Sequence, residues 1–458
     1  MILLFTSLEC PQPPQDANHQ PITAQSAGKP ASAACPSHPI SMSSVAVTSA
    51  TNSAQPSEIS STPSGLRPYS HVLAVFFCGT FAFLDLYCTQ PLLPLLAHVF
   101  HASEVHVGLT ISASTVGVAV SSALLALFGE RFPRKRVILA SMLALATATL
   151  LTATATSLNV LAFWRLIQGL VTPGIFILTI AYVTEEWPAL LVPRVMSAYV
   201  AGTVFGGFTG RFLGGTIAAH LGWRPVFLVL GIGGLIGAAV TLRLLKPPAM
   251  KHKRGTAASR FTPVLNNLRN PRLAATFGIG FCMLFTLISI FSFITFYLSE
   301  SPFNLTTQQL SYLFAVYLFG LAATLAAGTI LAKIGLRHGM LGAIALCITG
   351  SLLTLVPSLF VVALGLSLAS SGIFISQTCA NSFLRDAAPA GARVSAAGMY
   401  ICSYYIGGTA GGILPGIAYR LAGWPGCVAL TCTMLIVAGL LAIVFWPSHS
   451  THTDPIPL

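Results

Sequence analysis

Apolar residues run in continuous stretches of about 20, separated by short polar turns, from near Tyr69 to Trp446. About 20 helical residues cross a hydrocarbon core, so each stretch predicts a membrane-crossing helix, and the stretches with their turns count to about twelve. They are continuous and do not alternate, which excludes a strand barrel. The first stretch, about Tyr69 to Val99, holds Asp85 and then Gln90-Pro91 and Pro94, prolines that remove backbone donors and are expected to bend the outer part of the helix. In the fifth, about Met196 to Leu221, Gly202, Gly206, Gly210 and Gly214 recur every fourth residue, with Gly207 and Gly215 beside them. That spacing leaves one side of the helix almost without side chains. In water each such glycine would cost roughly 1 kcal/mol against alanine, so the helix makes sense where lipid enforces backbone hydrogen bonding and close packing compensates. A single cation, Arg211, intrudes into this bare groove.

The second half of the chain echoes the first. Gly407-Gly408, Gly411 and Gly416 match Gly206-Gly207, Gly210 and Gly215, and Gly423-Trp424 matches Gly222-Trp223, at an offset of roughly 200 residues, as parallel repeats require. The expected fold is an all-α membrane protein of twelve transmembrane helices in two pseudo-symmetric six-helix bundles, 69–245 and 273–446. A basic central loop over 246–272, opening with Pro247-Pro248, joins them. Residues 1–68, rich in Ser, Pro, Ala, Thr and Gln, cannot bury enough apolar surface to offset ordering entropy and read as a disordered cytoplasmic tail, with a second tail over 447–458. The opening Met1-Ile2-Leu3-Leu4-Phe5 is too short for a signal sequence and lacks a basic start; translation from Met1 and from Met42 both remain open.

Composition and charge sharpen this. With 54% hydrophobic and 7% charged residues and a mean hydropathy of +0.80, the chain has too little polar surface to cover a soluble globule. The formal charge of +12 would suggest nucleic acid in a soluble protein, but here the placement of the cations matters more than their sum. Arg131, Arg134, Lys135 and Arg136 share one loop, Lys246, Lys251, Lys253, Arg254, Arg260, Arg269 and Arg272 another, and Lys333, Arg337, Arg385 and Arg393 two more, all of one parity. Apart from Arg224 and Arg420 the alternate loops carry none, so both termini are expected to face the cytoplasm, and the short loops suit a bacterial inner membrane. The ten cysteines form no C-x-x-C pair, no histidine and cysteine spacing suggests zinc, and no phosphate loop or nucleophile elbow occurs in a plausible context. Neither an enzyme nor a cofactor is expected, and no nucleic-acid partner.

Three motifs carry a family resemblance. Gly206-Gly207-Phe208-Thr209-Gly210-Arg211-Phe212-Leu213-Gly214-Gly215 resembles the fifth-helix glycine motif of major facilitator antiporters, with Arg211 where that motif has proline; an arginine there resembles the YnfM-type branch of drug or sugar efflux transporters. Gly129-Glu130-Arg131-Phe132-Pro133-Arg134-Lys135-Arg136 resembles the family's loop between spans two and three. Ala126 and Pro133 stand at its usual glycine positions, and Gly328, Lys333, Gly335 and Arg337 form a degraded copy. Arg165 with Gln168-Gly169 resembles the fourth-helix motif associated with proton coupling. The resemblance implies a transporter that alternates access to a midplane cavity. It further implies conformational gating by Glu130, Arg131, Arg134 and Lys135, as a latch between the halves, together with Gly206, Gly210 and Gly214. Read without the family, the same loop is a positive-inside topology anchor.

Asp85 is the one carboxylate deep in a predicted span, where an ionised form costs at least about 2.5 to 3.5 kcal/mol unless it is paired, wetted or protonated. At 1.5 Å per residue, Asp85 and Arg211 both lie about 22 Å above the cytoplasmic ends of their spans, and Arg165 enters from the opposite face as a rival partner. Asp85, Arg165 and Arg211 are therefore the proton-coupling candidates, with a permanent structural ion pair as the alternative. Phe83, Tyr87, Gln377, Asn381, Tyr404 and Tyr405 are candidates for lining a cavity for a partly apolar ligand, against a role in packing. The expected function is proton-coupled efflux of a small organic molecule, drug-like or sugar-like, by a monomer whose partners are that molecule and membrane lipids. A uniporter or importer of a neutral metabolite, and a non-transporting receptor or scaffold, are the alternatives. Thr184-Glu185-Glu186 closes the fourth span at the cytoplasm, and those two acids are expected to be solvated.

Overall fold

A backbone in hydrocarbon must satisfy its own hydrogen bonds, and the apolar stretches do so as helices. The computed structural model describes residues 67–128, 133–188, 190–245, 261–389 and 392–447. Almost all of the expected N-terminal tail, Glu130 and Arg131 of the basic loop, residues 246–260 of the central loop and the end of the C-terminal tail lie outside them. Among the described residues there is no strand.

The first crossing is broken. Helix α1 (Arg67–Leu84) stops one residue before Asp85, residues 85–89 turn, Gln90–Leu92 form a 3-10 turn, and α2 (Leu93–Val99) resumes. Pro91 and Pro94 have no N–H to offer the carbonyls of Tyr87 and Gln90. The chain answers with tighter bonds, Gln90 N to Tyr87 O at 3.1 Å and Leu92 N to Thr89 O at 3.0 Å. The expected bend is thus an unwinding that begins six residues before Pro91. Next come α3 (Glu104–Phe128), α4 (Arg134–Thr152), α5 (Leu158–Glu186), α6 (Val192–Leu221) and α7 (Trp223–Leu244). A short amphipathic α8 (Phe261–Arg269) precedes α9 (Pro271–Ser299), and the second bundle continues through α10 (Thr307–Leu313), α11 (Val316–Ile334), α12 (Leu336–Leu353), α13 (Leu359–Ala387) and α14 (Arg393–Phe445). Helix α14 is interrupted at Ala422 and Gly423, which leave helical geometry, so it makes two crossings.

Among the described residues, eight helices are long and apolar enough to cross a membrane by length and composition. The expected twelve is consistent with them once α14 is divided, α6 is counted, and the α1/α2 and α10/α11 pairs are each read as one broken crossing.

The groove on α6 is filled by the backbone of α1. A Cβ at Gly202, Gly206, Gly210 or Gly214 would collide with the carbonyl of Phe76, Thr80, Leu84 or Cys88 respectively, one rung every four residues, the last of them in the turn that follows α1. The second bundle repeats the ladder, with Gly407 and Gly411 of α14 against the carbonyls of Phe281 and Phe285 of α9. Subtracting 206 from 407, and 80 from 281, gives 201 each time, so one offset relates both helices of both pairs. Gly222 and Gly423 turn the chain with φ of +85° and +62°, a region where only glycine sits without strain, and Trp223 and Trp424 beside them are both buried.

The two bundles meet toward the ends away from the cationic loops. Gly108 of α3 and Gly412 of α14 approach backbone to backbone, Ser112 Oγ donates to Thr409 O at 2.9 Å, and Gln90 Nε2 donates to Ser292 Oγ at 3.1 Å.

Candidate functional site

The break after α1 takes the carbonyls of Asp85 and Leu86 out of the helical ladder: Gln90 N, the donor Leu86 would have in a helix, has turned to Tyr87, and the Asp85 carbonyl accepts from Cys88 Sγ at 3.2 Å. Arg165, two turns into α5 and fully buried, meets them. Its Nη1 donates to Asp85 O at 2.7 Å and to Gln168 Oε1 at 2.6 Å, and its Nη2 donates to Leu86 O and, at 3.2 Å, to Ser114 Oγ. The two carbonyls end a half-helix whose dipole is negative there, so the guanidinium is compensated in part by main chain. Gln168 lies one helical turn on from Arg165, and its amide donates to Thr149 and Thr152 on α4 at 3.1 and 3.0 Å. The arginine is thus held from two more helices, α3 through Ser114 and α4 through Gln168.

The Asp85 carboxyl is a separate matter. It is 2% exposed, its Oδ1 has no hydrogen-bond partner, and among the described residues it forms no ion pair. Arg165 and Thr149 are its polar neighbours. The pairing that depth alone suggested is therefore replaced by proximity without a salt bridge.

Arg211, at the same groove as the glycine ladder, has a neutral shell. Its Nε donates to Gln90 Oε1 at 2.6 Å, Nη1 to the carbonyl of Gly207 at 2.6 Å, and Nη2 to Tyr317 Oη at 3.5 Å. The rings of Tyr317, Tyr87 and Phe314 stand 4.4, 4.6 and 5.5 Å from its central carbon. Tyr317 and Phe314 come from the second bundle, and Gln90 also bonds Ser292 there, so Arg211 sits where the bundles join.

Aromatic residues continue from this point. Phe83 lies 6.0 Å from Phe176, Phe176 stacks on Tyr405 at 6.3 Å, and Tyr405 meets Tyr404 edge-on at 5.5 Å. Tyr87 has Tyr405 as a polar neighbour, and Tyr404 has Gln377. Five of the six cavity candidates are thus brought together. Asn381, one turn beyond Gln377 on α13, is exposed and joins none of these contacts among the described residues. Gln90, Ser114, Tyr317 and Phe176 belong to the same region although sequence reasoning did not single them out as site residues. Gln90, next to Pro91 in the predicted bend, was the one with a signal.

Of the loop residues, Glu130 and Arg131 lie outside the described residues and Lys135 is half-buried. Arg134 is buried and forks onto Glu185, Nη2 to Oε1 at 2.9 Å and Nε to Oε2 at 3.3 Å. Glu185 is exposed, as expected of a solvated acid, and is in addition engaged by the first residue of α4.

Comparison with known proteins agrees with this architecture. The family described as Major Facilitator Superfamily matches residues 75–412 and 300–457. An uncharacterized transporter of Buchnera aphidicola subsp. Schizaphis graminum is 30% identical over 376 residues, 81% of this chain and 90% of that relative. The inner membrane transport protein YnfM of Escherichia coli K12 is 28% identical over 372 residues, 81% of this chain and 88% of YnfM. Among solved structures, a bacterial homolog to the human lysosomal transporter Spinster, inward-facing and occupied, aligns with a TM-score of 0.68 at 16% identity, covering 84% of this chain and 97% of that one. A mutant of the nucleoside transporter NupG aligns with a TM-score of 0.68 at 15% identity, covering 82% and 100%.

Proposed function

Since this chain belongs to the Major Facilitator Superfamily and is a membrane transporter of that type, we propose that it exports a small organic molecule in exchange for protons, with Asp85 as the coupling group. The observation that carries this is the Asp85 carboxyl itself, buried beside Arg165 at a break in the first crossing, with Oδ1 unpartnered. A carboxylate locked in a salt bridge must lose that bridge to take a proton. Asp85 has none to lose, because Arg165 is held by main-chain carbonyls, Gln168 and Ser114.

In this reading an ionised Asp85 is favoured by the nearby guanidinium and by access to water, and a protonated one by the closed, apolar surroundings. Alternation of the bundles about the midplane switches it between the two. Substrate and proton then oppose each other through Asp85, and the linkage is reciprocal. The driving force is the proton gradient with no cofactor. The working unit is a monomer in a bacterial inner membrane with both termini cytoplasmic, and its chemistry is transport rather than catalysis.

The test begins with an export screen over a compound library in a host lacking other exporters. Addition of a hit to purified protein in weakly buffered detergent should release protons. Release from wild type that is absent from Asp85→Asn supports the reading; equal release from both removes Asp85 from it. A second reading, a uniporter or importer of a neutral metabolite, draws support from Arg165 bonding the Asp85 main chain, as a purely structural neighbourhood would have it.

A further inference from the structure

We infer that the transported molecule carries a single negative charge, a carboxylate on a partly apolar body, and that Arg211 is the residue that engages it; this rests on the transporter reading above and specifies its substrate.

The described mid-membrane charges are Arg165, Arg211 and Asp85, all buried. Arg165 has the carbonyl end of α1 and the Asp85 carboxyl beside it. Arg211 has only neutral groups: an amide oxygen, a main-chain carbonyl, a phenol and three aromatic faces. Among the described residues no carboxylate pairs with it. With Asp85 ionised, two cations and one carboxylate leave one positive charge uncompensated, and it falls at Arg211. A buried cation of this kind is costly until an anion arrives.

Its hydrogen-bonding capacity points the same way. A guanidinium has five N–H groups, and the three bonds of Arg211 leave two free, both on the terminal nitrogens because Nε is taken by Gln90. The bond to Tyr317, at 3.5 Å, is long and readily exchanged. Terminal guanidinium nitrogens match two oxygens of one carboxylate, a geometry that lysine does not supply. The rings of Tyr87, Phe314 and Tyr317 around the guanidinium suit an apolar body attached to that carboxylate, and the Tyr87 to Tyr405 to Phe176 series extends the same surface. A monoanion balances the site, whereas a dianion overshoots it.

Position adds a consequence. Gln90 joins Arg211 to Ser292 of α9, and Tyr317 belongs to α11, so an anion on Arg211 changes contacts that tie the two bundles together.

The test is equilibrium binding to the purified full-length protein at fixed pH, using matched pairs that differ in charge alone: benzoate with benzamide, indole-3-acetate with indole-3-acetamide, hexanoate with hexanamide. Inorganic phosphate is measured alongside. In wild type at least one carboxylate should bind about tenfold or more tighter than its amide. Arg211→Gln should bring that pair to within about twofold, and Arg211→Lys should keep part of the preference. If no carboxylate outbinds its amide, if phosphate binds as tightly as the best carboxylate, or if Arg211→Gln preserves the preference, the inference falls. Should Arg211→Gln not fold, the wild-type pairs and Arg211→Lys still decide. No pH gradient enters the measurement, so failure here leaves proton coupling standing, and failure of proton coupling leaves this preference standing.

Discussion

Arg165 holds Asp85 by its main chain: Nη1 donates to the Asp85 carbonyl at 2.7 Å, while Oδ1 of the carboxyl has no partner. A buried cation and a buried carboxyl are therefore neighbours, of which the cation is bonded by other groups and the carboxyl keeps an unpartnered oxygen. The arginine terminates a half-helix, and the acid remains able to change its proton occupancy without dismantling that end.

Removing the terminator should be expensive. Arg165→Ala leaves the Leu86 carbonyl open in a buried site and the Asp85 carbonyl with the weak thiol donor of Cys88, and is expected to cost on the order of 3 kcal/mol, seen as a lower unfolding temperature of the purified protein. Arg165→Lys should lose less but not recover, since one ammonium cannot reproduce the fork that spans both carbonyls, Ser114 and Gln168. Unchanged stability of Arg165→Ala would contradict the capping role.

The glycine ladder makes a matched pair of expectations. Gly210→Ala places a methyl against the Leu84 carbonyl and Gly411→Ala places one against the Phe285 carbonyl, so each should destabilise by about 1 to 3 kcal/mol or block accumulation in the membrane. Gly342→Ala, whose added methyl meets nothing within 4 Å, should be neutral. Equal behaviour of all three in a thermal unfolding assay would contradict the ladder.

What the sequence made legible here was whatever depended on local spacing. The four-residue glycine series, the Gly222-Trp223 and Gly423-Trp424 repeat and the position of Asp85 in a span could all be read directly. The partner of the groove could not, because Phe76, Thr80, Leu84 and Cys88 contribute only carbonyls, and a carbonyl leaves no mark on residue identity. The choice between Arg211 and Arg165 as the neighbour of Asp85 stayed open for a related reason. Helix depth predicts which side chains share a level, but the contact with Arg165 depends on where α1 unwinds, and that point precedes the prolines that cause it. The contact between Arg134 and Glu185 was hidden likewise, because the two are 51 residues apart.

The Arg134 and Glu185 pair should show coupling in a double-mutant cycle. With the arginine buried and the acid partly exposed, about 1 kcal/mol is expected from unfolding of Arg134→Ala, Glu185→Ala and the double variant. A coupling of zero would make the fork incidental.

Orientation is tested at an exposed cation of the same loop, since Arg134 is buried. Arg136→Cys should resist a membrane-impermeant maleimide in intact cells and react after the membrane is opened. Labelling from outside would invert the topology.

The central claim is that Asp85 couples substrate to protons, and uphill transport tests it most directly. Wild type and Asp85→Asn are reconstituted in liposomes with a compound identified by the export screen, and accumulation is followed under an imposed pH difference. The amide keeps the size and a hydrogen-bonding head of the acid but cannot titrate. The account predicts that wild type accumulates the compound against its gradient, and that Asp85→Asn loses this accumulation while retaining exchange down a gradient. Uphill accumulation by Asp85→Asn at the wild-type rate across the pH range would contradict it.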